Sequence, residues 1–103
     1  MIPLRGLTVI ISEECLSPHV AMTQRDHVRL SWREPYRTPE RVRPVAWTCV
    51  CRATIYELCS GGGQAFIRRT LQLDGSVMVH ESPRWSVNEA RTVWTALLSG
   101  GVR

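Results

Sequence analysis

Two adjacent residues, Asp74-Gly75, constrain this chain more than any others. An Asp-Gly pair tolerates the positive φ that both central positions of a tight two-residue hairpin need. The stretches on either side, 64–73 and 76–82, have the alternation and side-chain types of strands. Folding back at this turn fixes a register in which Leu71 faces Met78, Thr70 faces Val79, Arg69 faces His80 and Arg68 faces Glu81. A second turn, Ser60-Gly61-Gly62-Gly63, precedes it. Residues 46–59 are rich in β-branched, aromatic and Cys positions and read as one long strand. Across the glycine turn this predicts Leu58 opposite Ala65, Tyr56 opposite Ile67 and Glu57 opposite Phe66.

The element after Pro83 is a helix. Ser86-Val87-Asn88-Glu89 is a complete S-x-x-E capping box, with Trp85 and Ala90 placed for a hydrophobic staple. Ala90, Val93, Trp94 and Leu97 follow the i, i+3, i+4, i+7 rule, and Gly100-Gly101 provides the stop. The expected fold is α+β: a small antiparallel β-meander of three to five strands packed by one C-terminal α-helix, with residues 1–103 as a single domain and its ββ(β)α core at 46–103.

The upstream half is less regular. Val28, Leu30 and Trp32 alternate with Arg29, Ser31 and Arg33, the period of a half-buried strand with a basic outer face, and this argues against a helix opening at Thr23. Pro35 and Pro39 then break regular structure, so 34–45 is a loop or arm carrying Arg37, Arg41 and Arg43 beside Tyr36. Residues 1–21 hold only one arginine, Arg5. They read either as a less basic element with a strand from Leu7 to Ser12, or as an extension ahead of a start at Met22.

The predicted sheet has two apolar faces. One carries Tyr56, Leu58, Ala65, Ile67, Leu71, Leu73 and Met78; the other carries Ala53, Ile55, Cys59, Phe66, Val77 and Val79. One helix covers one face. The second requires residues 1–45 or another copy of the chain, so a homodimer or a protein partner is expected, with Trp47, Tyr56 and Phe66 as contact residues.

All 13 basic side chains are Arg, against 9 acidic ones, for a net charge of +4. Such a balance is compatible with nucleic acid without amounting to a footprint. In that reading Arg25, Arg29, Arg33, Arg37, Arg41 and Arg43 meet phosphates and Arg68 or Arg69 extends the patch; Glu34 and Glu40 favour a plain solvated loop instead. Arg69 beside His80 suits an anion such as phosphate, whereas Arg68 and Glu81 suit a cross-strand ion pair.

Four cysteines, Cys15, Cys49, Cys51 and Cys59, fall in a chain whose start lacks the apolar run of a secretory signal, so reduced thiols and a cytoplasmic location are expected. Cys49, Cys51 and Cys59, joined by Cys15 or His80, are a candidate zinc set. The spacing is poor for it. Cys51 and Cys59 on one continuous strand stand roughly 26 Å apart, too far for one ion unless the strand breaks, so small buried thiols are the preferred reading. The Ser60–Gly63 run lacks the following helix that a phosphate-binding loop needs. No catalytic triad, paired-carboxylate spacing or membrane-length apolar run is present. The sequence therefore points to a small basic non-enzymatic binding or regulatory module without a cofactor, dimeric and binding nucleic acid or a protein partner, with a zinc-stabilised domain as the alternative.

Overall fold

The computed structural model describes residues 15–35 and 41–103. The Leu7–Ser12 strand, most of the 1–21 extension, Tyr36 and Arg37 lie outside the described residues. The order is β1 (Arg43–Trp47), β2 (Thr54–Gly61), β3 (Gln64–Leu73), β4 (Ser76–Glu81) and α1 (Val87–Ser99). The four strands form one antiparallel sheet in sequence order, so the α+β meander with its C-terminal helix stands.

The β3–β4 hairpin has the register that Asp74-Gly75 dictates, with Arg68 opposite Glu81, Arg69 opposite His80 and Leu71 opposite Met78. The β2–β3 register differs from expectation by two residues. Leu58 faces Ile67, Tyr56 faces Arg69, Glu57 faces Arg68 and Cys59 faces Phe66. The turn is Gly62-Gly63, both at positive φ (63° and 79°), so β2 continues through Ser60 and Gly61 before reversing. A slip of two preserves the face of every side chain, because the strand period is two. Residues 46–59 are not one strand: β1 ends at Trp47 and β2 begins at Thr54. On β1 the register shifts between Pro44 and Ala46, a bulge beside a proline on an edge strand, where the missing N–H costs no ladder bond.

The capping box forms as written. The Ser86 hydroxyl accepts from the Glu89 N–H, the Glu89 carboxylate accepts from the Ser86 N–H, and Gly100 caps the far end at φ 89°. The helix buries Ala90, Trp94 and Leu97 against Tyr56, Leu58, Ala65 and Ile67, each large apolar side chain contributing roughly 1.5–3 kcal/mol.

The segment 20–33 is extended but is not a sheet strand, which corrects the expectation from Val28, Leu30 and Trp32. Its backbone is satisfied mainly by the C-terminal tail. Ala21 N–H donates to Leu98, Gln24 to Gly100, Val28 to Gly101 and Leu30 to Arg103. Its backbone bonds to the sheet only at Arg33, in a reciprocal pair with Glu81 at 2.8 and 2.9 Å. Val28 is exposed, while Leu30 and Trp32 pack on the helix-side core. The Arg103 guanidinium bonds the carbonyls of Leu97, Val102 and Ala21, closing the helix end and the segment together.

On the opposite face Cys59 and Phe66 are fully buried. Guanidinium groups lie over the Phe66 ring, Arg84 at 4.3 Å and Arg68 at 5.9 Å. Arg68 is held there by Glu57 at 3.5 Å and Glu81 at 4.0 Å. Arginine stems thus cover the centre of this face, a means of burial not weighed from sequence. Val77, at 62% exposure, marks its uncovered end.

Candidate metal centre

The break between β1 and β2 has a local cause. Thr48 N–H donates to the Tyr56 carbonyl at 2.9 Å, continuing the ladder by one step. The return bond, from Tyr56 N–H, goes to the Thr48 Oγ1 at 2.9 Å rather than to its carbonyl. The hydroxyl substitutes for the backbone acceptor, the main chain turns away, and 49–53 becomes a loop. Its far end is fixed to β3, where Gln72 N–H donates to Ala53 at 2.8 Å and Gln72 Nε2 to Arg52 at 3.3 Å. Cys49 and Cys51 are thereby lifted off the sheet onto a tight loop.

The N-terminal segment meets this loop. Cys49 N–H donates to the Pro18 carbonyl at 2.9 Å, which brings Cys15 and His19 alongside. The Cys15 and Cys51 sulfurs are 3.8 Å apart, and His19 Nε2 is 3.1 Å from the Cys51 Sγ. The ligand atoms of Cys15, His19, Cys49 and Cys51 all lie within 4.8 Å of one another. Zinc–sulfur bonds of about 2.3 Å at tetrahedral angles separate two sulfurs by about 3.8 Å, and a sulfur and a nitrogen by about 3.6 Å. The four groups can therefore close on one metal ion with small side-chain adjustments. Cys49 is buried, Cys15 half-buried, and His19 and Cys51 are exposed.

The electrostatics of the cluster are those of crowded thiols. Hydrogen bonds from the Cys51 backbone and side chain, then from His19, bring the Cys49 thiol down to about 6 despite its desolvation. Cys15, hydrogen-bonded to Cys49 and Cys51, is pushed up to about 11. A cation in the middle removes this conflict, because it stabilises all the thiolates together.

This centre differs from the set expected from sequence. Cys49 and Cys51 belong to it and Cys15, there an optional fourth ligand, is a full member. Cys59 does not: it is fully buried on β2 opposite Phe66, and burial raises its thiol to about 11. His80 is also elsewhere, on β4. The candidate ligand that sequence reasoning missed is His19. The signal that points to it is the Cys15-x3-His19 spacing, one helical or turn step.

The other predicted residues separate into groups. Arg33, Arg41 and Arg43 are exposed. Arg68 is engaged by Glu57 and Glu81 as described. Arg69 stacks on the Trp32 ring at 4.5 Å and lies 3.4 Å from His80 Nδ1, while His80 Nε2 is 3.9 Å from the Glu34 carboxylate. The chain's own carboxylate thus stands where an anion was expected. Tyr56 and Phe66 are buried within the chain, on opposite faces of the sheet. Trp47 remains 49% exposed and lines a groove of about 270 Å³ with Leu16, Ser17, Pro18, Val45, Ala46 and Trp94. Among the described residues no helix is long and apolar enough to cross a membrane. No protein-family model, curated protein or solved structure matches the chain.

Proposed function

We propose that this chain is a small zinc-stabilised, non-enzymatic binding module in which one ion, held by Cys15, His19, Cys49 and Cys51, fastens the N-terminal segment to the β1–β2 loop. The single observation that carries this reading is the convergence of three sulfurs and an imidazole nitrogen within 4.8 Å, from two segments over thirty residues apart in sequence. Three thiolates and a neutral imidazole form a closed, soft donor set, the type that holds structural zinc. Four protein ligands leave no open position for a substrate or an activated water, which favours a structural over a catalytic ion. The ion does for this chain what a larger core does elsewhere: it ties down a segment with few buried apolar side chains of its own.

Native mass spectrometry on protein refolded with zinc is the test. One ion per chain is expected, lost in Cys49→Ser and in His19→Ala and retained in Cys59→Ser. Loss of the ion in Cys59→Ser with retention in Cys49→Ser overturns the assignment.

The half-exposed Trp47 and its groove beside the centre support a protein partner as what this module binds, and the exposed Arg33, Arg41 and Arg43 support nucleic acid. The protein reading is favoured, because Arg68 and Arg69, the proposed extension of a phosphate-binding patch, already have partners within the chain. Light scattering at low and high salt, with and without a short DNA duplex, separates the two, since phosphate contacts lose affinity steeply with salt.

A further inference from the structure

The same thiols carry a second chemistry. Cys51 is the most exposed cysteine of the cluster, with the Cys15 sulfur 3.8 Å from its own, His19 Nε2 at 3.1 Å and the Cys49 sulfur within 4.8 Å. A disulfide has its sulfurs about 2.05 Å apart, so this pair has to close by less than about 2 Å. The Cys15 side has room for that movement. Leu16 next to it is 93% exposed, and the backbone bond joining this segment to the loop is made three residues on, at Pro18. Cys49 and Cys51 are only two residues apart, and a bridge between them would strain the loop.

We propose that Cys15 and Cys51 form a peroxide-responsive pair, whose oxidation to a disulfide replaces the metal clasp with a covalent one and expels the ion. The ion-release half rests on the metal reading above; the disulfide half does not. In the first step the Cys51 sulfur attacks one oxygen of hydrogen peroxide, the O–O bond breaks, the sulfur is oxidised to a sulfenic acid and one water leaves. In the second the Cys15 sulfur attacks that sulfenic sulfur, the S–S bond forms, the S–O bond breaks and a second water leaves. Two thiols and one peroxide thus give one disulfide and two waters. If the thiols start as zinc ligands, the solvent supplies two protons. Cys49 and His19 are then the remaining ligands, and two ligands do not retain zinc against a chelator. The N-terminal segment stays attached throughout, first by the ion and then by the bond.

The chain lends itself to a direct readout. It has no Lys, and Arg43 precedes Pro44, so trypsin leaves Cys15 on 6–25, Cys49 and Cys51 on 42–52, and Cys59 on 53–68. Wild-type protein, zinc-loaded and metal-free, is treated with one equivalent of hydrogen peroxide, digested without reduction and mapped by tandem mass spectrometry, while a zinc-sensitive dye follows the loaded sample. The expected result is a 6–25 to 42–52 crosslink through Cys51 in both samples, stoichiometric dye response in the loaded one, and unmodified Cys59. In Cys15→Ser the crosslink disappears and Cys51 sulfenic acid, trapped with dimedone, rises several-fold. Absence of the crosslink from both samples, or a Cys49–Cys51 bridge in its place, overturns the proposal. A crosslink in protein that takes up no zinc when zinc is offered supports the redox pair and rejects the metal reading, so the two fail separately.

Discussion

Replacing Thr48 with valine removes one hydroxyl and almost nothing else, because the two side chains share shape and branching. Thr48 is 2% exposed and Tyr56, whose N–H the hydroxyl accepts, is 6% exposed. The variant leaves a buried N–H with no acceptor, which costs about 1–3 kcal/mol. Unfolding entropy for a chain of this size is about 0.2 kcal/mol per kelvin, so Tm falls by about 5–14 °C. Thr48→Ser keeps the hydroxyl and gives up one methyl, at a cost of about 1 kcal/mol. Thermal unfolding followed by circular dichroism should therefore rank wild type above Ser and Ser above Val. A second readout separates loop placement from general stability. The hydroxyl sets where β1 stops and hence where Cys49 and Cys51 stand, so zinc affinity, measured by competition with a chelating dye well below Tm, should drop about tenfold or more in Val and remain near wild type in Ser. If Ser is as damaging as Val, or if Val binds zinc like wild type, the account of the strand break is wrong.

Two further perturbations test the rest of the structure. Leu97→Ala opens a cavity among Tyr56, Leu58, Ile67 and Trp94 and should cost about 3–5 kcal/mol, read as a fall in the urea midpoint with unchanged slope; a loss below about 1 kcal/mol would mean that the helix is not docked as described. The Cys59 thiol, raised by burial from 9.0 to about 11, holds its proton more tightly folded than unfolded. Its contribution to stability is complete below pH 9 and is lost as the pH climbs through 9–11. Cys59→Ala should therefore flatten the alkaline decline of Tm over that window, and an unchanged pH profile would refute the assignment.

Much of the fold is written in short-range signals. Asp74-Gly75 sets the β3–β4 register, and Ser86 through Glu89 sets the start of the helix, because turn geometry and capping depend only on neighbouring residues. The glycine turn was legible in kind and not in register, since three consecutive glycines offer more than one two-residue turn and the period of two gives the same faces for each. The candidate metal centre was half legible. Cys49 and Cys51 stand out, yet their β-branched surroundings have the period of a strand, and only the Thr48 hydroxyl, accepting a bond meant for a carbonyl, reveals that the strand has ended. His19 was out of reach for a different reason. Its pairing with Cys51 depends on where the chain returns after more than thirty residues, and no local periodicity encodes that. The same holds for Arg68 and Arg84, whose stacking over Phe66 uses charged residues as a roof.

The binding of the 20–33 segment to the tail has a consequence for how the protein is made. Trp32 Nε1 donates to the carbonyl of Arg103, 71 residues later, and Gln24 Nε2 to that of Ser99, 75 residues later. Each bond joins an early stretch of the described residues to a late one. On the ribosome the β2–β3–β4 meander can pair as it emerges, since its contacts are local, but the leading segment lacks most of its backbone partners until the helix and the tail are free. During that interval the Cys15 thiol and the His19 imidazole, just ahead of this segment, are presented to the cell unassembled, and the loop bearing Cys49 and Cys51 is the earliest surface on which they can be gathered.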